Sequence, residues 1–410
     1  ATDTAEEAFL RRALAAAEAS GSAEDAARVV ALAARSDAPP ALRVLALETL
    51  RTWAEPPQRS RVHGGWHPHG RRDPAAARLA LERALPALIA SNPDDALRAS
   101  LLKAAAGLGV ESVGPLLVAW ADDAARDPTS RAEALLTLDA ARDPLAEKLA
   151  ARLVSDTAPA VRAAARRVRT ARLPVGTTVA ELVEATTQAD TAERQAAIEL
   201  LGGIDHPDAT RAISALVARL AGADRDPTIE LEINEAAARR LGPAVAERLA
   251  AERLAAATPG DTTAAWRDVA AGGDPARGRS IFFNNGAVSC VRCHRADGVG
   301  GDVGPKLDAI AAQKDVRHLL EAIVAPSAQV AEAYRTTVVV TDDGRTVAGI
   351  VAGEGAGRLA LTTADGAVVT IPLDSIEERA AGPSSMPADL AGKLTRRELR
   401  DLLAWLLTLR

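Results

Sequence analysis

Apolar residues recur every three or four positions through the first 257 residues, which is the spacing of one face of an α-helix. Two such faces are formed by Leu97, Leu101, Leu102 and Ala105, and by Val161, Ala164, Ala165 and Val168. Polar and charged residues fill the positions between them. The pattern predicts a series of amphipathic helices over residues 1–257.

Short polar turns separate these predicted helices, and each turn is followed by a helix with an arginine near its start. The turns lie at 36–40, 92–95, 127–130, 156–159 and 190–191, and the arginines are Arg43, Arg98, Arg131, Arg162 and Arg194. The last four arginines are 33, 31 and 32 residues apart. Asp or Asn can cap each helix, and Pro suits its first turn. Helix pairs repeated at a fixed period predict an α-solenoid.

The segment 158–165, Ala-Pro-Ala-Val-Arg-Ala-Ala-Ala, resembles the second helix of a HEAT repeat. The period of ~32 residues is shorter than the ~40–47 residues usual for that repeat. Ankyrin and tetratricopeptide repeats fit the period better, but their signature residues are missing. We therefore predict short HEAT-like repeats, which offer a surface for docking another protein.

One stretch at about 53–73 interrupts the period and predicts a loop inserted between repeats. It is rich in Pro and Gly and contains His63, His67 and His69, three of the six histidines. Their spacing of four and two residues raises the possibility of a metal site. A solvated loop is the favoured interpretation, because no cysteine or nearby carboxylate pattern completes a recognised motif.

The helical pattern ends in a predicted linker, residues 258–272, and a new helix start follows at Asp274-Pro275. From about 336 to 378 the pattern alternates instead, in four runs rich in β-branched residues at 337–340, 346–351, 359–362 and 368–371. Helical spacing returns at Thr395. The fold class is therefore mainly α: a solenoid at 1–257, then an α-helical domain at 273–410 with an inserted antiparallel β-meander.

Composition narrows the class of protein. The net charge of -6 shows no excess of the basic residues that bind nucleic-acid phosphates. No run of 18 apolar residues occurs, so no membrane span is expected. The chain has 2 Cys, 1 Met and only 9 aromatic residues (3 Phe, 5 Trp, 1 Tyr). Two cysteines are too few for a disulfide-dense secreted scaffold.

Both cysteines lie in one pentapeptide, Cys290-Val291-Arg292-Cys293-His294, which has the spacing of a c-type haem attachment site. Two thiols at this spacing can each add to one vinyl group of haem, and the adjacent imidazole can bind the iron. A zinc knuckle would need further ligands, and a redox dithiol would need a strand-to-helix junction of a βαβ unit. The motif predicts one covalently attached haem c.

Met386 is the predicted second axial ligand of the iron. It is the only methionine in the chain and lies in a Ser/Pro loop rather than on an apolar helix face, where methionine usually fills gaps in the core. A thioether opposite an imidazole raises the haem potential. His318 is the alternative ligand, although its position on an amphipathic helix favours a surface histidine. Pro305 has no backbone N–H, and its carbonyl is free to accept a hydrogen bond from the imidazole. We therefore predict that Pro305 orients His294.

Residues 273–410 resemble a class I cytochrome c. The matching segments are the first helix around 273–282, the motif Cys290, Cys293 and His294, the loop 304–307, Met386-Pro387 and the closing helix at 402–406. In that family the proline carbonyl of the loop accepts a hydrogen bond from the ligand histidine, which implies this role for Pro305. The meander between Tyr334 and Glu378 departs from ordinary small cytochromes c.

With its HEAT-like half, the whole chain resembles the planctomycete-type haem-binding domain proteins. In those proteins, the repeats and the cytochrome often follow a β-propeller of the sugar-dehydrogenase kind, and the 53–73 stretch resembles one of their loops. The resemblance implies that this chain could be the C-terminal part of a larger polypeptide.

The expected function is electron transfer from a dehydrogenase, in trans or fused upstream, rather than catalysis. Two protein ligands leave the iron no open position. Covalent haem attachment implies a periplasmic or otherwise extracytoplasmic location. Two alternatives remain: a peroxidase-like enzyme or sensor in which Met386 is labile, and a HEAT-repeat scaffold in which haem is secondary. We expect Phe282 and Trp405 to pack where the first and last helices of the domain cross, or to line the haem.

Overall fold

The computed structural model describes residues 5–58, 69–91, 95–187 and 190–410. The protein is mainly helical with a small antiparallel sheet, as the sequence predicts. It divides into two compact units, residues 1–200 and 201–410. The division falls inside a helix, earlier in the chain than the linker predicted at 258–272.

The first unit is built of helices that pack in sequence. The contacts join α3 to α2 and α5, and α7 to α5, α6, α8 and α9. A continuous core runs from Leu14 to Val168 and is built mostly of Ala, Leu and Val. The helices are α1 (Ala5–Ser20), α2 (Ala23–Ala34), α3 (Pro40–Arg51), α4 (Ala75–Ala90), α5 (Asp95–Gly107), α6 (Val113–Asp122), α7 (Pro128–Ala140), α8 (Leu145–Leu153), α9 (Pro159–Thr170), α10 (Val175–Ala185) and α11 (Thr191–Gly203).

Arginines that recur in the sequence donate hydrogen bonds to carbonyl groups at the C-terminal ends of the preceding helices. The Nε atom of Arg43 donates a hydrogen bond to the Ala33 carbonyl at 2.9 Å, and that of Arg131 to the Ala121 carbonyl at 2.8 Å. The last carbonyls of a helix have no partner within it. Each arginine therefore satisfies a carbonyl that the preceding helix leaves open.

Two of these arginines also form an ion pair with a residue of a later segment. Arg131 forms an ion pair with Asp156 at 2.6 Å, and the arginine side chain is only 3% exposed. Arg162 pairs in the same way with Glu193 of α11, which also receives Arg166. These ion pairs thus connect α7 to the turn before α9, and α9 to α11. Of the predicted turns, residues 92–94 lie outside the described ranges.

The second unit contains further helices and two antiparallel sheets in the described residues. The helices are α12 (Pro207–Arg219), α13 (Glu230–Arg240), α14 (Pro243–Ala255), a 3-10 helix (Ala264–Val269), α15 (Pro275–Asn284), α16 (Val316–Val324) and α17 (Arg396–Leu406). The strands are β1 (Arg295–Ala296), β2 (Val299–Gly300), β3 (Thr336–Thr341), β4 (Thr346–Gly355), β5 (Arg358–Thr362), β6 (Val368–Pro372) and β7 (Ile376–Ala381).

The predicted meander is present but has one more strand than expected. Across the described chain, the larger sheet has the order β6-β5-β4-β3-β7. Strands β3 to β6 lie where the alternating runs predict them. Strand β7 pairs with β3 at the sheet edge and is almost wholly exposed. Its sequence is Ile-Glu-Glu-Arg-Ala-Ala. Only the first residue is β-branched and the strand has no apolar face, so no sequence pattern marks it.

Buried ion pairs connect α13 and the segment predicted as a linker to α17. Arg400 of α17 pairs with Glu232 of α13 at 2.7 Å, with both side chains under 10% exposed. Asp268, in the 3-10 helix, is buried and accepts hydrogen bonds from Asn234 at 3.0 Å and from Arg396. These contacts place α13 and residues 264–269 in the same unit as α17.

Candidate functional site

The site begins where α15 and α17 cross. Asp274 caps α15 by accepting a hydrogen bond from the Ala276 N–H at 2.8 Å, and Pro275 occupies the first helical position, as predicted. Asp401 of α17 accepts a hydrogen bond from the Asp274 backbone N–H at 2.9 Å. The start of α15 is therefore tied to the middle of α17.

A glycine allows the two helices to touch. A Cβ atom on Gly278 would lie 1.9 Å from the Asp401 carbonyl oxygen, so no larger residue fits without separating the helices. Beside this contact the ring centroids of Phe282 and Trp405 are 4.7 Å apart, and Phe283 lies 5.7 Å from Trp405. The predicted packing of Phe282 on Trp405 is confirmed.

The candidate attachment motif forms a single tight turn after α15. Ser289 has a left-handed backbone (φ 47°) and begins a 3-10 turn over Cys290–Arg292. The backbone N–H groups of Cys293 and His294 both donate to the Cys290 carbonyl, at 3.2 and 3.0 Å. Both cysteines are free thiols and half-buried. The turn therefore brings two thiols and one imidazole together, as the motif predicts.

The ring of His294 is oriented by the predicted carbonyl. Its Nδ1–H donates a hydrogen bond to the Pro305 carbonyl oxygen at 2.9 Å. Burial lowers the pKa of His294, and the hydrogen bond to Pro305 offsets this only in part, so the neutral imidazole is favoured. With Nδ1 protonated, Nε2 carries the lone pair. This nitrogen has no hydrogen-bond partner in the described part of the chain, which leaves it available as a metal ligand.

A glycine-rich loop packs against the turn and the imidazole. A Cβ atom on Gly304 would lie 2.7 Å from Cε1 of His294, and one on Gly301 would lie 2.0 Å from the Arg292 carbonyl oxygen. Gly300 has φ 125°, and a Cβ atom there would lie 2.1 Å from the His294 carbonyl oxygen. Neither Gly300 nor Gly301 belongs to the attachment motif or to the loop 304–307 that the sequence marks. The run of four glycines between 298 and 304 was the available signal.

Met386 lies in a loop that is fixed by side-chain hydrogen bonds. Its side chain is half-buried and packs against the hydrophobic core that Cys290 and Val291 also border. Its backbone N–H donates to Ser384 Oγ at 3.2 Å. The rival ligand His318 lies in the first turn of α16, where its backbone N–H donates to Asp315 Oδ1 at 2.8 Å.

The environment of Cys290 does not favour dithiol redox chemistry. Burial, together with a smaller effect of the neighbouring Cys293, raises the pKa of the Cys290 thiol to about 11. Reactive redox cysteines instead have a lowered pKa, because the thiolate is the nucleophile. A half-buried thiol with a raised pKa beside a ligand-competent imidazole does not have the properties of a dithiol exchange site.

Other metal sites have no support among the described residues, where no group of three or more His, Cys, Asp or Glu side chains is arranged to hold a metal ion. Of the three loop histidines, His63 and His67 lie outside the described ranges. Likewise, no helix in the part of the chain that the structure describes is long and apolar enough to cross a membrane.

Comparison with models of known protein families finds no match for this chain. A search of curated protein sequences also finds no match.

Proposed function

We propose that residues 273–410 form a monohaem c-type cytochrome that transfers electrons, with His294 and Met386 as the axial ligands of the iron. The observation that carries the proposal is the orientation of His294. Its Nδ1–H is held by the Pro305 carbonyl at 2.9 Å, directly beside two free thiols on the same turn. A ligand imidazole usually donates its second N–H to such a carbonyl, which fixes the ring and its tautomer.

The remaining donors fit the group. Cys290 and Cys293 would hold the haem covalently, His294 would bind the iron through Nε2, and Met386 would supply the thioether. Haem bound in this way supplies reversible one-electron redox chemistry of its iron. Met386 and Cys290 border one hydrophobic core, which supports a shared, water-poor environment. With both axial positions taken by protein ligands, electron transfer is favoured over catalysis.

We further propose that the α-helical region before the cytochrome is a short HEAT-like solenoid that docks a protein partner. Two features support this: helices α3, α5, α7 and α9 pack in sequence, and arginine ion pairs connect α7 to the turn before α9 and α9 to α11. A dehydrogenase is the partner class whose reaction supplies electrons to a haem of this kind. Because such haem is attached outside the cytoplasm, we expect a periplasmic or other extracytoplasmic location.

Absorption spectroscopy of the ferric protein tests the ligand assignment. The unaltered chain should give a low-spin spectrum with the far-red band of a thioether-to-iron bond, and Met386→Ala should abolish the band. His318→Ala is the matched control and should leave the band unchanged. A high-spin spectrum in the unaltered protein would refute the His294/Met386 assignment, and peroxide turnover by that protein would favour a haem enzyme instead.

A further inference from the structure

The inserted sheet has its own small core and ends beside the Met386 loop. Val339, Leu359, Leu361 and Ile371 form a buried cluster separate from the core that Met386 and Cys290 border. Strands β3 and β7, the first and last of the insertion, are paired along their length. The chain therefore leaves the sheet next to the point where it enters, and Met386 follows β7 after four residues.

The exit from the sheet is closely fitted to its entrance. The Gly382 N–H donates to the Thr336 carbonyl at 2.8 Å. A Cβ atom on Gly382 would lie 2.7 Å from a methyl group of Val338 and 3.1 Å from that of Thr336, so this approach requires glycine. The chain beyond β7 is thus held against the first residue of β3.

Hydrogen bonds extend this connection into the Met386 loop. The Thr336 hydroxyl lies 2.9 Å from that of Ser385, the residue before Met386, and Thr336 is only 7% exposed. The Ser384 N–H donates to Ser327 Oγ at 3.1 Å. In this way both residues that precede Met386 are fixed by hydroxyl groups of the segment around the entrance of the sheet.

The turn between β5 and β6 lies at the same end of the strands as Thr336, because Thr336 pairs with Ile350 and Ile350 pairs with Thr362. In the turn between β5 and β6, a methyl group on Gly366 would lie 3.6 Å from a methyl group of Val303, an ordinary packing distance. Val303 precedes Gly304, the residue that packs on the His294 ring. The insertion therefore comes close to the loop beside His294 and is hydrogen-bonded to the loop that carries Met386.

We propose that the inserted sheet is a brace for the Met386 loop, and that Thr336 is the positioning residue that acts through Ser385. This inference rests on the proposed function, because it concerns the thioether ligand of that haem. A partly buried hydrogen bond between hydroxyl groups at this junction restrains the loop and so disfavours release of Met386 from the iron.

The test is a pH titration of the far-red thioether band in the haem-loaded ferric form of this 410-residue chain. Thr336→Val keeps the branched shape of the side chain but removes its hydroxyl. Loss of one ordinary hydrogen bond should reduce the ratio of Met-bound to Met-free protein about fivefold. If one proton is released with the ligand, the pH midpoint of band loss falls by about 0.7 unit.

Two further variants distinguish positioning from general stability. Thr336→Ser retains the hydroxyl and should restore the midpoint. Thr341→Val is the matched control: Thr341 is buried at the other end of β3, and its hydroxyl bonds to the Asp343 carboxylate and the Arg345 carbonyl, far along the strand from Ser385. It should leave the midpoint unchanged. Ser385→Ala removes the same hydrogen bond from the loop side and should lower the midpoint as much as Thr336→Val does. It also provides the test if Thr336→Val folds poorly.

The outcomes separate the two proposals. An unchanged midpoint in Thr336→Val and Ser385→Ala overturns the brace while leaving the His294/Met386 assignment intact, as does an equal shift in Thr341→Val. Absence of the band from the unaltered protein overturns the ligand assignment itself, and the brace with it. If Thr336→Val and Ser385→Ala lower the midpoint and Thr336→Ser does not, the result supports both the brace and the ligand assignment.

Discussion

Gly304→Ala tests whether the glycine-rich loop holds His294 in place. The new Cβ atom would lie 2.7 Å from Cε1 and 2.8 Å from Nδ1 of the imidazole. Carbon atoms prefer a separation of about 3.5–4.0 Å, so the ring or the loop must move by roughly 0.8 Å. Such overpacking typically costs about 1–3 kcal/mol. Because Pro305 follows Gly304 directly, that movement should strain the hydrogen bond from His294 to the Pro305 carbonyl.

Amide hydrogen exchange measured on peptides from residues 291–307 reports this cost locally. Three backbone bonds hold the loop on the turn: Gly301 N–H to Val291 O, Gly304 N–H to Cys293 O and Leu307 N–H to Arg295 O, at 2.9, 2.8 and 2.8 Å. A loss of 1–3 kcal/mol in their opening free energy corresponds to exchange about 5- to 150-fold faster.

Gly286→Ala is the matched control. Gly286 lies between α15 and the turn, its backbone is not left-handed, and a Cβ atom there meets nothing within 4 Å. Exchange in residues 291–307 should remain at the rate of the unaltered protein. If Gly304→Ala also leaves exchange unchanged, the loop does not clamp the imidazole and the reasoning from close packing is refuted.

Two further predictions concern stability. Burial raises the pKa of Glu193, but hydrogen bonds from Arg162 and Arg166 outweigh it and lower the pKa below the usual 4.5. The carboxylate therefore stabilises the fold above pH 4.5, and this contribution is lost as the pH falls through the lowered pKa. Glu193→Gln should lower the free energy of unfolding by about 2 kcal/mol at pH 7, less than for a fully buried ion pair, because both arginines keep some solvent contact. In urea denaturation at a series of pH values, the variant should also lose less stability than the unaltered protein as the pH falls below 4.5. An unchanged loss of stability would contradict the ion-pair account. Trp405→Ala should lower the free energy of unfolding by about 3–5 kcal/mol, because it empties the space against Phe282, and a cost below ~1 kcal/mol in urea denaturation would show that the aromatic cluster is dispensable.

Local patterns predicted the helices and most of the sheet. Helix starts were visible because they depend on residues at fixed offsets: Asp274-Pro275 caps α15, and Thr395 and Glu398 form a capping box at the start of α17. Strand β7 was missed because its place is set by pairing with β3 rather than by its own residues. The sequence carries no local signal for an edge strand of that composition.

The site was predictable to the extent that it is local. The turn at Cys290–His294 follows from five consecutive residues, and the Pro305 contact spans only eleven. Long-range contacts were not predictable in the same way: the Arg400–Glu232 pair joins residues 168 apart. The hydrogen bond between Thr336 and Ser385 joins residues 49 apart and depends on the pairing of β3 with β7. No pattern of charge or hydropathy encodes such partners.

The most direct test of the central claim is the intact mass of the denatured protein after production with a cytochrome c maturation system. The account predicts the mass of the polypeptide plus one haem, because Cys290 and Cys293 each form a bond that denaturation does not break. The double variant Cys290→Ser, Cys293→Ser should show the polypeptide mass alone. A polypeptide mass without haem in the unaltered chain, produced beside a control cytochrome that does acquire its haem, would contradict the account.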